Sequence, residues 1–221
     1  DGVMELQKAL PVPSLVRRVA VISAADAAGY GDFCDQLLHN RFGYAFHTQL
    51  YPAVMQGDTA AKSIIQALTS IAEQEEEWDV VVIIRGGGAT TDLSCFDDYM
   101  LASHCAQFPL PIIAGIGHTR DVSVVDMVVH SSVKTPTAAA EWLIERVAKQ
   151  VERLNLLLIR LQRATQGLVT RQQNRLMLYE QRIKNGAYRL LTRERGKLSL
   201  WQKTIELHSP ERIYKMGYSL T

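Results

Sequence analysis

The sequence predicts an α/β protein: a doubly wound, mainly parallel sheet followed by a long helical arm. Three observations carry this reading. The most apolar run of the chain, Val80-Val81-Val82-Ile83-Ile84, ends directly in Arg85-Gly86-Gly87-Gly88, and the arrangement recurs at Ile112-Ile113-Ala114-Gly115-Ile116 before Gly117-His118. Runs this apolar belong to strands covered on both faces, as in a parallel sheet. Strand-like and helix-like segments alternate up to about residue 135. Between Pro136 and Pro210 there is no proline, and apolar residues recur there at intervals of seven.

Taken in order, Pro11-Val12-Pro13 is a non-helical entry to a first strand over 17–23. A helix is expected over 31–41, with Phe33, Leu37 and Leu38 on one face, and a second strand over 45–51. Asp58 is placed to cap a helix whose Ile64, Ile65, Leu68 and Ile71 recur at helical spacing. Strand 80–84, the glycine loop and a helix over about 96–107 follow, then strand 112–116 and a short helix from Asp121. The alternation implies right-handed crossovers and a Rossmann-like sheet.

Beyond Pro136, Thr137 is placed to cap a helix beginning Ala138-Ala139-Ala140-Glu141. Val147, Leu154, Leu161 and Leu168 recur every seven residues, with Val151 and Leu158 interleaved; the register slips by one and resumes at Leu176, Ile183 and Leu190. This is a coiled-coil pattern. One straight helix would be on the order of 100 Å long, and a hairpin turning near Thr165-Gln166-Gly167 is the more compact alternative. The tail from Ser209 reads as a turn and a short extended piece. The organisation expected is an α/β catalytic domain over 1–141, a coiled-coil arm over 142–208 and a tail over 209–221.

The 221 residues are 47% hydrophobic and 21% charged, enough for a substantial core. Cys34, Cys95 and Cys105 match neither a disulfide framework nor a zinc site. With no signal peptide and no membrane-length apolar stretch, a cytoplasmic location is expected and membrane attachment is not. The start at Asp1-Gly2-Val3 reads as that of a fragment. A net charge of +1 conceals an asymmetry: residues 1–141 hold 8 Lys/Arg against 17 Asp/Glu, and residues 142–221 hold 16 against 6. The basic half suits a phosphate backbone or an acidic protein, or is simply a solvated arginine-rich surface.

Three loops fall at the carboxyl edge of the expected sheet. Arg85 with Gly86, Gly87 and Gly88 can cradle an anion, through open amides and a permanently charged fork, or can form a tight turn with Arg85 in a surface ion pair. In Gly115-Ile116-Gly117-His118-Thr119-Arg120-Asp121, a carboxylate one turn beyond His118 can fix its tautomer and leave the other ring nitrogen as acid or base. The plainer reading makes Asp121 a helix cap. Arg120 is a second phosphate contact or a surface charge. Asp32, in the first loop (Ser23–Asp32), orients Arg85 or His118 or caps the next helix. Asp32, Asp92, Asp97, Asp98, Asp121 and Asp126 include no tight acidic pair of the two-metal type, so no metal site is assigned.

RGGGATTDL (85–93), GIGHTRD (115–121), KTPTAAAE (134–141) and PERIYKMGYS (210–219), in this order and spacing, resemble the large subunit of the bacterial exonuclease VII family. The resemblance implies degradation of single-stranded DNA from both ends to short oligonucleotides, without a required divalent metal or other cofactor. It implies large subunits that associate and carry many copies of a small helical subunit on long helical arms. Its catalytic set falls on Arg85, His118 and Asp121, with Asp32 at an acidic position of the first loop; Gly86, Gly87, Gly88, Gly117 and Arg120 are the expected phosphate contacts. Ala89 and Thr91 stand where the family carries serine and an acidic residue, Thr119-Arg120 where it often has Glu-Thr, and Met216 where it usually has arginine. Nothing resembles the family's oligonucleotide-binding domain, so a core fragment is expected. The alternatives are a non-catalytic nucleotide-binding scaffold with an assembly arm, or an enzyme acting on a small phosphorylated metabolite.

Overall fold

The computed structural model describes residues 2–86, 93–116 and 122–217. Among the described residues the sheet has five strands, β1 (Arg18–Ser23), β2 (His47–Pro52), β3 (Val80–Ile84), β4 (Ile112–Gly115) and β5 (Ser131–Ser132). All pair in parallel, in the order β2-β1-β3-β4-β5. The helices are α1 (Val3–Ala9), α2 (Ala28–Leu38), α3 (Ala60–Ala72), α4 (Tyr99–Ala106), α5 (Val124–Val128), α6 (Pro136–Leu207) and α7 (Pro210–Lys215). The chain divides into two units, Asp1–Asn155 and Leu156–Thr221, and α6 contributes to both.

In the first unit, alternation along each strand sorts the core into two layers. Ala20, Ile22, Val81, Ile83, Ile112 and Ala114 face α3, α4 and α5. Val19, Val21, Val80, Val82, Ile84 and Ile113 face α2 and the first turns of α6, where Ala139, Ala140 and Leu143 are buried. Burial on both faces accounts for the unbroken apolar runs of β3 and β4. The chain leaves β1 toward β2 on one side and returns to β3 on the other. The strand order therefore reverses between β1 and β3, and such a switch point opens a crevice at the carboxyl ends of the strands.

The amino edge is closed by Asp79. Its carboxylate accepts from the backbone N–H groups of Arg17 and Arg18, both at 2.8 Å, and pairs with the Arg18 guanidinium at 3.1 Å. Burial pushes the Asp79 pKa up, but these donors outweigh it and hold it below the ordinary carboxylate value. A depressed folded pKa contributes stability above the unfolded value that is lost as pH falls through the folded one. Asp79→Asn is expected to flatten the acid limb of the melting temperature below about pH 4, as checked by thermal melts across that range.

Several elements depart from the sequence reading. Leu38 is 77% exposed, so only Phe33 and Leu37 form the buried stripe of α2. Thr59, not Asp58, precedes α3, and its side chain makes no capping bond. The helix expected over 96–107 is a 3-10 turn at Ser94–Asp97 followed by α4, capped by the Asp98 carboxylate accepting from Leu101 N–H at 2.8 Å. Thr135 rather than Thr137 caps α6, accepting from Ala138 N–H at 3.1 Å. Pro136 then takes the first helical position, where its missing N–H costs nothing.

No hairpin turn occurs at 165–167. There α6 is continuous, and the Thr165 hydroxyl donates back to the carbonyls of Leu161 and Gln162, at 3.1 and 2.9 Å. The tail after Ser209 is helical rather than extended over Pro210–Lys215; the Ser209 hydroxyl accepts from Glu211 N–H at 3.3 Å. Neither α1 nor β5 was expected. Among the described residues, no helix is long and apolar enough to cross a membrane.

Candidate functional site

The described ends of the sequence motifs meet at the carboxyl edge of the sheet. Ile84, the last residue of β3, is in register with Gly115, the last of β4. The Arg85 N–H donates to the Gly115 carbonyl at 3.4 Å, so the two glycine loops leave the sheet side by side. The first loop, Ala24–Ala27, closes with Ala27 N–H donating to Ala24 O at 3.2 Å, and α2 follows at once. No side chain caps α2 at Ala27, which leaves the positive end of its dipole at this edge.

Three glycines make this convergence sterically possible. A methyl group on Gly29 would lie 2.5 Å from Gly86 Cα and 2.8 Å from Pro136 Cγ. One on Gly86 would lie 2.5 Å from Gly29 Cα, and one on Gly115 would lie 3.1 Å from the Thr135 carbonyl oxygen. Backbone therefore packs on backbone where α2, the Arg85 loop, the end of β4 and the start of α6 come together. Glycine is required by this close approach rather than by a left-handed φ, which among the described residues is confined to Gly2, Gly43, Gly57 and Gly217.

Beside this knot lies a crevice of about 480 Å³, lined by Ala24, Asp26, Ala53, Met55, Gln56 and Gly86 among others. It opens at the β1/β3 switch point. Ser63 steadies its far wall by accepting from Val54 N–H at 2.9 Å. The Ser23 hydroxyl at the end of β1, next to the lining residue Ala24, is buried and makes no hydrogen bond among the described residues.

Gly86 lines the crevice, and Arg85 precedes it directly after the last residue of β3. Asp32 does not lie in the first loop: α2 already begins at Ala28, so the side chain is exposed within the helix and is not its cap. It lines a second groove with Asp35, His39, Thr137, Glu141 and Glu145, between α2 and the first turns of α6. The acidic residue of the crevice itself is Asp26, which the sequence reading did not single out. Its position three residues beyond β1 was the available signal. Gly87, Gly88, Gly117, His118, Arg120 and Asp121 lie outside the described residues.

The chain after Asp121 is firmly held. The helix begins at Val124, with Ser123 and not Asp121 as its cap. The Asp126 carboxylate accepts from Ser123 N–H and Oγ at 3.1 and 2.7 Å, and from Ser132 Oγ at 2.7 Å. Of the other acids considered for a metal, Asp98 caps α4 and Asp97 accepts from Val124 N–H at 2.9 Å. Among the described residues, no group of three His, Cys, Asp or Glu side chains is placed to hold a metal ion. Asp126→Ala strands two hydroxyls and removes the carboxylate half of the capping box, and is expected to cost about 2 kcal/mol. Chemical denaturation measures this directly, with Asp126→Asn intermediate.

Fold and crevice define the class: a doubly wound α/β protein with a crevice at the carboxyl edge of its sheet, beside a close contact between glycines, and with an extended helix after it. Comparison with known proteins agrees with the motifs. The family model described as "Exonuclease VII, large subunit" matches residues 3–221. The exodeoxyribonuclease 7 large subunit of Nostoc sp. is 36% identical over 149 residues, 67% of this chain and 35% of that one. That of Lactobacillus helveticus is 34% identical over 161 residues, covering 73% and 36%, and that of Deinococcus radiodurans 38% over 149 residues, covering 66% and 36%. The chain belongs to the exonuclease VII large-subunit family, and it spans about a third of the length of these relatives.

Proposed function

We propose that the chain forms the phosphodiester-hydrolysing core of a nuclease that degrades single-stranded DNA to short oligonucleotides. The observation that carries the reading is the glycine knot. It packs the start of the Arg85 loop against the uncapped first turn of α2 beside the crevice, while the Arg85 N–H joins that loop to the end of β4, which leads into Gly117-His118. Only Ile116 and Gly117 separate Gly115 from His118, and three Cα steps span at most roughly 11 Å. Asp121 stands two residues before the anchored Ser123.

In this reading Arg85 and the amides of Gly86, Gly87 and Gly88 hold the phosphate and stabilise charge as the bond breaks. Gly117 and Arg120 add contacts from the neighbouring loop. His118 moves the proton, as base for water or acid for the leaving oxygen, with Asp121 fixing its tautomer. Asp32 acts from the flanking groove. No divalent metal or other cofactor is required. On the arm, Leu158, Leu161, Leu168, Leu176, Ile183 and Leu190 are each at least 56% exposed. This apolar seam seats the helical small subunit, and large subunits associate in the assembly, which works in the cytoplasm.

The test is cleavage of end-labelled single-stranded DNA by the whole large subunit with its small subunit, in chelator. Short oligonucleotides are expected from single strands, with duplex spared. Tight nucleotide binding without any turnover would make the protein a scaffold instead. Turnover restored only by added metal would contradict the metal-independent mechanism.

A further inference from the structure

We infer that the arm carries a second strand-binding surface, a stripe of arginines along α6 that holds the phosphate backbone of single-stranded DNA. The inference rests on the substrate proposed above and concerns the unit Leu156–Thr221 alone. Arg160, Arg171, Arg175, Arg182, Arg189 and Arg193 are all exposed. At about 100° per residue they fall within an arc of about 60°, extending about 50 Å along the helix axis. Between residues 160 and 193 only Ala164 and Leu178 share that arc with them.

An ordinary solvated helix face alternates charge, with glutamate four residues before lysine. Other faces of this unit pair opposite charges: Glu180 with Lys184, four residues on, at 2.7 Å, and Glu194 with Lys197, three residues on, at 2.8 Å. The stripe does the reverse. Arg171 and Arg175, and Arg189 and Arg193, are like charges four apart, an arrangement that weakens an isolated helix. None of the six forms an ion pair among the described residues. The glutamates of α6 in this unit, Glu180, Glu194 and Glu206, lie more than about 100° from the centre of the arc. A local rule broken along one face only marks a functional surface.

The chemistry favours nucleic acid over protein. The cores of protein interfaces are depleted of charge and built on apolar anchors, and this arc holds one large apolar side chain. The apolar seam lies on average about 95° from the arc's centre, so a helix seated there leaves much of the stripe facing solvent. A flexible polyanion is the occupant that relieves the repulsion between these guanidinium groups, with release of its counterions.

The test compares two variants of the whole large subunit in complex with its small subunit, in a His118→Ala background. One carries Arg171→Gln, Arg182→Gln and Arg189→Gln. The control carries Arg163→Gln, Lys184→Gln and Arg195→Gln, which remove the same charge at least about 90° from the centre of the arc. Affinity for a long labelled oligothymidylate is measured against salt. The stripe variant is expected to lower the slope of log K against log salt by ~0.7 per arginine, about 2 in all, while the control stays near the parent.

Equal slope losses in both variants would reduce the stripe to diffuse charge and overturn the inference. An unchanged slope, with the small subunit lost from the complex, would make the stripe a protein-docking face. Failure of the substrate reading is separable: there the parent itself shows no salt-dependent binding to the strand.

Discussion

The His118→Ala variant is expected to cleave single-stranded DNA ~10² to 10⁴-fold more slowly than the parent, the usual worth of a positioned acid or base. In the proposed mechanism the imidazole acts as the bond breaks and not in strand capture, so the loss is expected to fall on kcat. The limb of the pH–rate profile that His118 supplies disappears with it, and which limb is lost identifies its proton role. Asp121→Asn keeps the size of the side chain but not its charge, and is expected to fall between the two. Melting temperature should not move, as expected of residues that serve the chemistry and not the fold. A variant cleaving as fast as the parent would remove His118 from the chemistry.

The second large effect is steric. Gly86→Ala places a methyl group against the backbone of Gly29, with no flexible side chain to yield. Overpacking of this kind costs about 1–3 kcal/mol. Because the loop relieves the clash by moving, the displaced group is Arg85, and a misplacement of about 1 Å costs on the order of 10²-fold in rate. Gly29→Ala should behave alike, since the contact is mutual. Gly31→Ala is the matched control: it lies in the same helix, and its added methyl meets nothing within 4 Å. It is expected to raise the melting temperature slightly, by restoring about 1 kcal/mol of helix propensity, and to leave cleavage intact. Parallel thermal melts and cleavage rates for the three variants check the argument.

How far the sequence disclosed this arrangement follows from what each feature depends on. β3 and β4 were legible because a strand buried on both faces writes its environment into consecutive residues. The carboxyl-edge placement of Arg85 followed from that. β5 was not legible, because Ser131–Ser132 is two polar residues long and is defined by pairing with β4. α1 was missed for a related reason: it is held in part by the buried Gln7 side chain, which donates to the Phe108 carbonyl at 2.7 Å and accepts from Ile112 N–H at 2.9 Å. Such long-range bonds leave no periodicity.

The Gly29–Gly86 contact joins two distant segments, and no local pattern encodes it. The one available hint was two glycines inside a helical stretch, against propensity. Asp32 was set in a loop because the start of α2 has no side-chain cap to mark it. The hairpin was suggested by Gly167 and the heptad slip, yet one glycine costs only about 1 kcal/mol in a helix of strong formers, and α6 runs through it.

The central claim is that the scissile phosphate sits in the crevice at the β1/β3 switch point. Photocrosslinking tests it most directly. The His118→Ala large subunit, with its small subunit, is bound to a short single strand carrying one 5-iodouracil, irradiated and digested, and the joined peptides are identified. The account predicts crosslinks within Ala24–Ala27 and Pro52–Gln56, the walls of the crevice beside Gly86. Crosslinks confined to the groove of Leu68, Ser103, His104 and Phe108, with none at the crevice, would contradict it.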